Sequence, residues 1–96
     1  MTTIAVIDNA ADHRYEAQID GVVAGYAVYR DAPGRRVFTH TVVEPEFEGH
    51  GVGSALAAGA LDDVRRSGRA VVPQCPFIAA YIERHPEYAD LVHEVD

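Results

Sequence analysis

Between Glu48 and Ser54 the sequence reads Glu-Gly-His-Gly-Val-Gly-Ser, and the hydrophobic period differs on its two sides. Upstream, apolar and polar residues alternate, most strictly in Tyr15-Glu16-Ala17-Gln18-Ile19-Asp20, as a strand with one buried face requires. Downstream, Val52, Leu56, Ala60 and Val64 recur at every fourth position with Ala57 and Leu61 beside them, which is an apolar stripe along a helix. The chain therefore passes from sheet to helix across a stretch with little side-chain bulk, and any fold it adopts must accommodate that junction.

The flanking elements can be placed one by one. Ile4, Val6 and Ile7 make a short first strand. Asp20-Gly21 signals a hairpin, because glycine tolerates the positive φ of a tight reversal. Val22 to Arg30, rich in Val and Tyr, is the next strand, with Gly25 as a candidate bulge. Asp31-Ala32-Pro33-Gly34 is a turn in which proline presets φ and glycine relieves it. Arg36 to Val43 adds a further strand, so the first half reads as an antiparallel meander of three or four strands. In the second half Asp62, Asp63, Arg65 and Arg66 supply the wet face of the central helix, and Gly68 is placed to stop it. Ala70 to Gln74 is a short β run. Phe77 to Arg84 reads as a second, shorter helix, ended at His85-Pro86 because the residue before proline avoids the α region. A last helical turn is expected around Tyr88 to Val92. The order implies one α+β domain over residues 1–96, with helices packed on a mostly antiparallel sheet.

Bulk properties exclude several classes. Fifteen acidic against eight basic residues give a net charge of -7, which opposes binding a polyanion, so no nucleic-acid partner is expected. The same charge is compatible with an amine-bearing partner, or simply with solubility. The single Cys75 rules out an internal disulfide and a multi-cysteine metal site. The start, Met1 to Asp8, lacks the features of a signal peptide, and no apolar run approaches the roughly 20 residues of a membrane span. These features lead us to expect a cytoplasmic protein.

The glycine turn has a chemical reading and a plain one. The first N–H groups of a helix have no internal partner and carry the positive end of its dipole. Glycines there let an anion reach the backbone, so the segment is a candidate phosphate cradle; equally, the glycines can serve only to make a tight turn. Two familiar cradles fail the test. No lysine follows Gly53 as a P-loop requires. Ser54 or Leu56 falls where a dinucleotide fingerprint needs its third glycine, and the strand after the helix ends in Gln74 rather than an acid.

The turn resembles the acetyl-CoA signature of the GNAT (N-acetyltransferase) superfamily, Gln/Arg-x-x-Gly-x-Gly/Ala, with Gly51 and Gly53 as its two glycines. More closely, His40 to Val92 resembles a family of minimal GNAT-like domains found as short stand-alone proteins. The matching motifs are His40-Thr41, the glycine turn with Ser54-Ala55-Leu56, and Val72-Pro73-Gln74-Cys75-Pro76-Phe77. They continue through Tyr81-Ile82, Arg84-His85-Pro86-Glu87-Tyr88 and Leu91-Val92. The resemblance implies a shortened GNAT fold that lacks the usual helices between its first two strands. It implies that acetyl-CoA is the cosubstrate, its pyrophosphate held by backbone N–H groups of Gly49, His50, Gly51, Val52, Gly53 and Ser54. It also implies that main-chain groups of Val42, Val43 and Glu44 hold the pantetheine arm. Glu48 departs from the signature's Gln/Arg, and an acid beside a polyphosphate is unfavourable unless it points away or pairs with a base such as His50.

Acetyl transfer needs a neutral amine, a polarised carbonyl and a proton for the departing thiolate. Cys75, at the end of the strand after the helix, is a candidate nucleophile or acid, or else a small buried hydrophobe. His40 is a candidate general base or a packing residue. His50 either contacts a phosphate or is solvated. The superfamily's tyrosine acid maps to Ile82; Tyr81, one residue early, points about 100° away around the helix. His13, His85 and His93 show no metal-ligand spacing, and no metal is expected. Tyr15, Tyr26, Tyr29 and Tyr88 read as sheet and core packing. The sequence thus reads as an acetyl-CoA-dependent N-acetyltransferase acting on a small amine or a protein lysine; the alternatives are a CoA-binding module without turnover and a protein-interaction domain.

Overall fold

The alternating half of the chain becomes four consecutive antiparallel strands in the computed structural model, which describes residues 3–93. They are β1 (Ala5–Asn9), β2 (Arg14–Ile19), β3 (Val22–Ala32) and β4 (Arg35–Val43). Asp20 and Gly21 close the β2–β3 hairpin with φ of 51° and 80°, the paired positive values that match the twist of the flanking strands. Helix α1 (Val52–Ser67) follows, then β5 (Ala70–Pro73) and α2 (Pro76–Arg84). Short 3-10 segments at Pro45–Phe47 and Pro86–Leu91 flank the helices, the second covering most of the expected last helical turn. The sheet order is β1-β2-β3-β4-β5, and β5 joins β4 in parallel. Among the described residues no helix is long and apolar enough to cross a membrane.

All six residues of the predicted stripe, Val52, Leu56, Ala57, Ala60, Leu61 and Val64, are buried against the sheet. They meet Tyr15, Ala17, Ala27, Tyr29 and Phe38 from β2 to β4 and Ile78, Tyr81 and Ile82 from α2. Burying each large aliphatic side chain contributes about 1.5–3 kcal/mol. Both helices thus lie on one face, and among the described residues no helix covers the other. That second face carries Arg14, Tyr26, Val28, Val37, His40 and Val72, the residues that alternate with the buried set.

Two bulges adjust the pairing. Ala17 stands opposite Gly25 but Gln18 opposite Val23, so the extra residue is Ala24 rather than the expected Gly25. Gly25 has a different role: a Cβ there would lie 2.8 Å from the Val42 oxygen and 3.0 Å from Val52 Cγ1. The second bulge, at Thr39, lies where Val28 faces His40 but Tyr29 faces Phe38.

One buried cation ties the layers together. Arg36, 7% exposed, grips Asp31 with Nε at 2.7 Å and Nη2 at 3.0 Å, and donates to Tyr15 Oη at 2.7 Å. Its guanidinium also lies 3.9 Å over the Tyr29 ring. Tyr15 donates to Asp63 on α1 at 2.7 Å, and Tyr29 donates to Asp8 on β1 at 2.6 Å. Burial opposes the charge of Arg36, but its bonds to Asp31 and Tyr15 outweigh that and raise its pKa. The same guanidinium holds the Asp31 carboxyl below its usual range. Burial, with Asp8, pushes Tyr29 up to about 12; burial, with Asp62, does the same for Tyr88.

These shifts have opposite signs of pH dependence. Asp31, lowered on folding, stabilises the protein above its unfolded value near 3.8, and that contribution disappears as pH falls through the lower folded value. Tyr29 and Tyr88, raised on folding, contribute fully below pH 10 and lose that contribution as pH rises towards about 12. A Tm profile should therefore be flat through neutrality and fall on both sides. Arg36→Met should cost about 2 kcal/mol in urea unfolding, discounted because Asp31 is partly exposed, and should flatten the acid limb.

Candidate functional site

β5 is short. Its ladder with β4 ends at Phe38 and Pro73, and the final contact is Cys75 N–H donating to the Phe38 oxygen at 2.9 Å. The chain then turns into α2 at Pro76, while β4 continues alone to Val43. Past this point β4 has one edge on β3 and one edge free. Glu44 N–H donates to the Ala24 oxygen at 2.8 Å, and alternation along an antiparallel pair turns Val42 the same way. Thr41 and Val43 therefore present their main-chain N–H and C=O groups to the gap. Of the three positions expected to hold a ligand through the main chain, Val43 alone faces it.

The gap leads to the start of α1. Gly51 occupies the N-cap with φ 77° and offers no side-chain cap, and the first helical bond is Ala55 N–H to the Gly51 oxygen at 3.0 Å. The N–H groups of Val52, Gly53 and Ser54 thus lack both intrahelical and capping partners. Gly49, with φ 85°, is also in the left-handed region. A Cβ on either glycine would meet nothing within 4 Å, so the backbone conformation, rather than crowding by the protein, calls for glycine there. At Gly53 a Cβ would stand 2.8 Å from Phe77 Cζ: the space left by that glycine is filled by an aromatic ring.

Together these groups form a cleft of about 260 Å³. Six of the nine positions expected to bind a ligand, Val43, Gly49, Gly51, Val52, Gly53 and Ser54, line it. Val42, Glu44 and His50 do not line it, and His50 is exposed. Phe47, Glu48 and Phe77 complete the wall. Phe77 carries a legible signal: it is a large aromatic off the Ile78, Tyr81, Ile82 stripe that α2 buries. Phe47, set among Glu46 and Glu48, has none in its spacing. Among the described residues the lining holds no basic side chain, so its attraction for an anion comes from N–H groups and the helix dipole.

The two candidate catalytic residues flank the parting of the strands from opposite faces. Cys75, 3% exposed, lies on the helix side with its sulfur 3.2 Å from Thr41 Oγ1. His40 is exposed and, one residue from Thr41, belongs to the uncovered face. Tyr81 is buried away from the cleft and stacks on His85 at 3.9 Å between ring centroids. Burial raises its pKa, with Glu87 adding to the effect. Among the described residues no cluster of three or more His, Cys, Asp or Glu is placed to hold a metal.

A model of the GCN5-related N-acetyltransferase family matches residues 14–91. The chain belongs to that family. Among curated proteins none matches it. Solved structures that share the acetyltransferase fold include the following two. One is a protein from Staphylococcus aureus assigned as a GCN5-like N-acetyltransferase, with TM-score 0.72 and 18% identity, covering 100% of this chain and 94% of that one. The other is the ribosomal-protein-S18-alanine N-acetyltransferase of Escherichia coli, with TM-score 0.66 and 17% identity over 88% of this chain and 76% of that one. At such identities the likeness is one of architecture, and it agrees with a mostly antiparallel sheet carrying its helices as described.

The left-handed φ at Gly51 separates a backbone effect from a steric one. Gly51→Ala should lower stability by about 1 kcal/mol through strain alone, whereas Gly51→Asn should lose less, because asparagine tolerates this region. Equal losses in thermal unfolding would show that φ is not what selects glycine here.

Proposed function

We propose that this chain binds acetyl-CoA at the start of α1 and transfers the acetyl group to an amine. The observation that carries the reading is the uncapped N-terminus of α1 opening into the cleft beside the free edge of β4, in a member of an N-acetyltransferase family. In this reading the pyrophosphate meets the N–H groups of Val52, Gly53 and Ser54, and the bare backbone at Gly49 and Gly51 leaves room for it. The pantetheine arm pairs with the main chain of Val43, adding an edge partner to β4 as a strand would. The thioester then lies where β4 and β5 separate. A lone buried cysteine without a disulfide partner suits a reducing compartment, and we place the reaction in the cytoplasm.

The amine nitrogen attacks the thioester carbon, a C–N bond forms and the C–S bond breaks. The proton that nitrogen loses ends, in the net reaction, on the sulfur of CoA. His40, on the uncovered face, is positioned to accept the proton from an amine arriving there. Cys75 stands on the opposite side, where it serves either as the acid that meets the thiolate or as the packing contact that holds Thr41. The absence of a tyrosine acid from the gap favours a second reading, binding of acyl-CoA without efficient turnover: Ile82 and Tyr81 are both packed in the core. Holding donor and acceptor together supplies much of the rate in such reactions, so the first reading does not depend on that tyrosine.

Calorimetric titration with CoA and acetyl-CoA, with NAD and ATP as controls, tests the donor site. Saturable binding of the CoA species alone is expected, and no binding at millimolar ligand would refute the reading. Glu48→Gln removes the acid from the lining and should tighten binding by roughly two- to fivefold. Cys75→Ala should keep CoA affinity. If it abolishes acetyl transfer to a test amine in the still-folded protein, the thiol is catalytic; if transfer survives and Tm falls, it is a packing residue.

A further inference from the structure

The protein has a second pocket, of about 170 Å³, on the sheet face that no helix covers. Val37 and Val72 form its floor, with Arg30, Arg35, Ala32 and Gln74 around them. Its charge runs against that of the whole molecule. All eight basic side chains are arginines, and five of them, Arg14, Arg36, Arg65, Arg66 and Arg69, are ion-paired with carboxylates. Among the described residues three arginines have no such partner, and two of these, Arg30 and Arg35, line this one pocket. Arg35 meets the His93 ring instead, with Nε2 as the acceptor. The neighbouring acid, Asp31, is occupied on the helix side by Arg36 and Arg69. Two guanidinium groups over an apolar floor, with no acid in the lining among the described residues, form a site for an anion.

Its position links it to the proposed reaction. Arg30 stands opposite Val37, and Val37 opposite Val72, one residue before the ladder of β4 and β5 ends at Phe38 and Pro73. Arg35 is three residues from that end, on the order of 10 Å at the rise of a strand. Gln74 lies just past the end of β5, at the rim shared by pocket and gap. We propose that this pocket is the acceptor subsite and that the acceptor is a small amine which also bears an anionic group, a carboxylate or a phosphate, held by Arg30 and Arg35. The inference rests on the donor site proposed above. It reverses the preference that net charge alone would suggest: a polyamine is repelled at this spot although the molecule as a whole is acidic.

The test uses the full ¹⁵N-labelled chain and three probes, 4-aminobutyrate, phosphoethanolamine and spermidine, with and without saturating CoA. The two anionic amines should saturate shifts at the Val37 and Val72 amides and at the Arg30 and Arg35 side chains, and the tighter of the two identifies the anion. The double variant R30Q/R35Q should weaken them roughly tenfold or more while leaving CoA affinity unchanged. Saturation by spermidine alone, or equal anion affinity in R30Q/R35Q, would overturn the inference. If CoA binds and no anionic amine does, the acceptor proposal falls and the donor site stands. If phosphoethanolamine binds and CoA does not, the acceptor role falls together with the donor site.

Discussion

The ladder between β4 and β5 ends at Phe38 and Pro73, and past the last bond, from Cys75 to Phe38, the two strands separate. Most of what the site offers depends on that separation. It frees one edge of β4 while the other stays paired to β3, and a row of main-chain groups inside a compact domain is left for water or a ligand to satisfy. It also places Cys75, the last residue still tied to β4, at the apex of the gap. Had β5 continued by another few residues, the free edge would have been sealed and the start of α1 would open onto a finished sheet.

The Thr39 bulge gives the two sides of the gap different chemistry. Because it inserts one residue into β4, Phe38 and Thr41 both reach the helix side, and His40 lies outside. A regular strand would have alternated Phe38 with Thr41 and turned the histidine inward. In the proposed reaction the donor would approach along the helix side and the acceptor from the uncovered face, with the reacting atoms meeting between them. Among the described residues no helix covers the second face, so recognition there falls to side chains standing on the strands.

Local patterns in the sequence were enough to place every strand, the full buried stripe of α1 and the stop of α2 at His85-Pro86. These features are encoded in spacing, and six of the nine expected ligand-binding residues line the cleft because the glycine junction itself is local. What escaped the sequence depends on pairing. Bulges are properties of two strands in register, so Ala24 could not be distinguished from Gly25, and Thr39 gave no sign. Which of Val42, Val43 and Glu44 turn their main chain to the gap depends on the phase of the pairing with β3, which the Thr39 bulge shifts by one residue. Asp62 and Asp63 look like plain solvated acids in the pattern, yet they accept from Tyr88 and Tyr15 at 2.7 Å, contacts set by chain segments far away in sequence. Arg36 likewise sits in a strand where its charge suggests exposure.

The hub at Arg36 joins β1, β2, β3 and α1 to β4 through Asp8, Tyr15, Tyr29, Asp31 and, by way of Tyr15, Asp63. Interactions within such a network are not additive. An amino-acid replacement at any one of these positions changes the value of the others, so the group acts as a unit: a chain that loses one member gains little from the rest. The network stands at the hairpin end of β4, away from the gap. The residues that line the gap are therefore a separate set from those that restrain the scaffold, whereas the lining of the second pocket alternates with Asp31 and Arg36 along the same two strands.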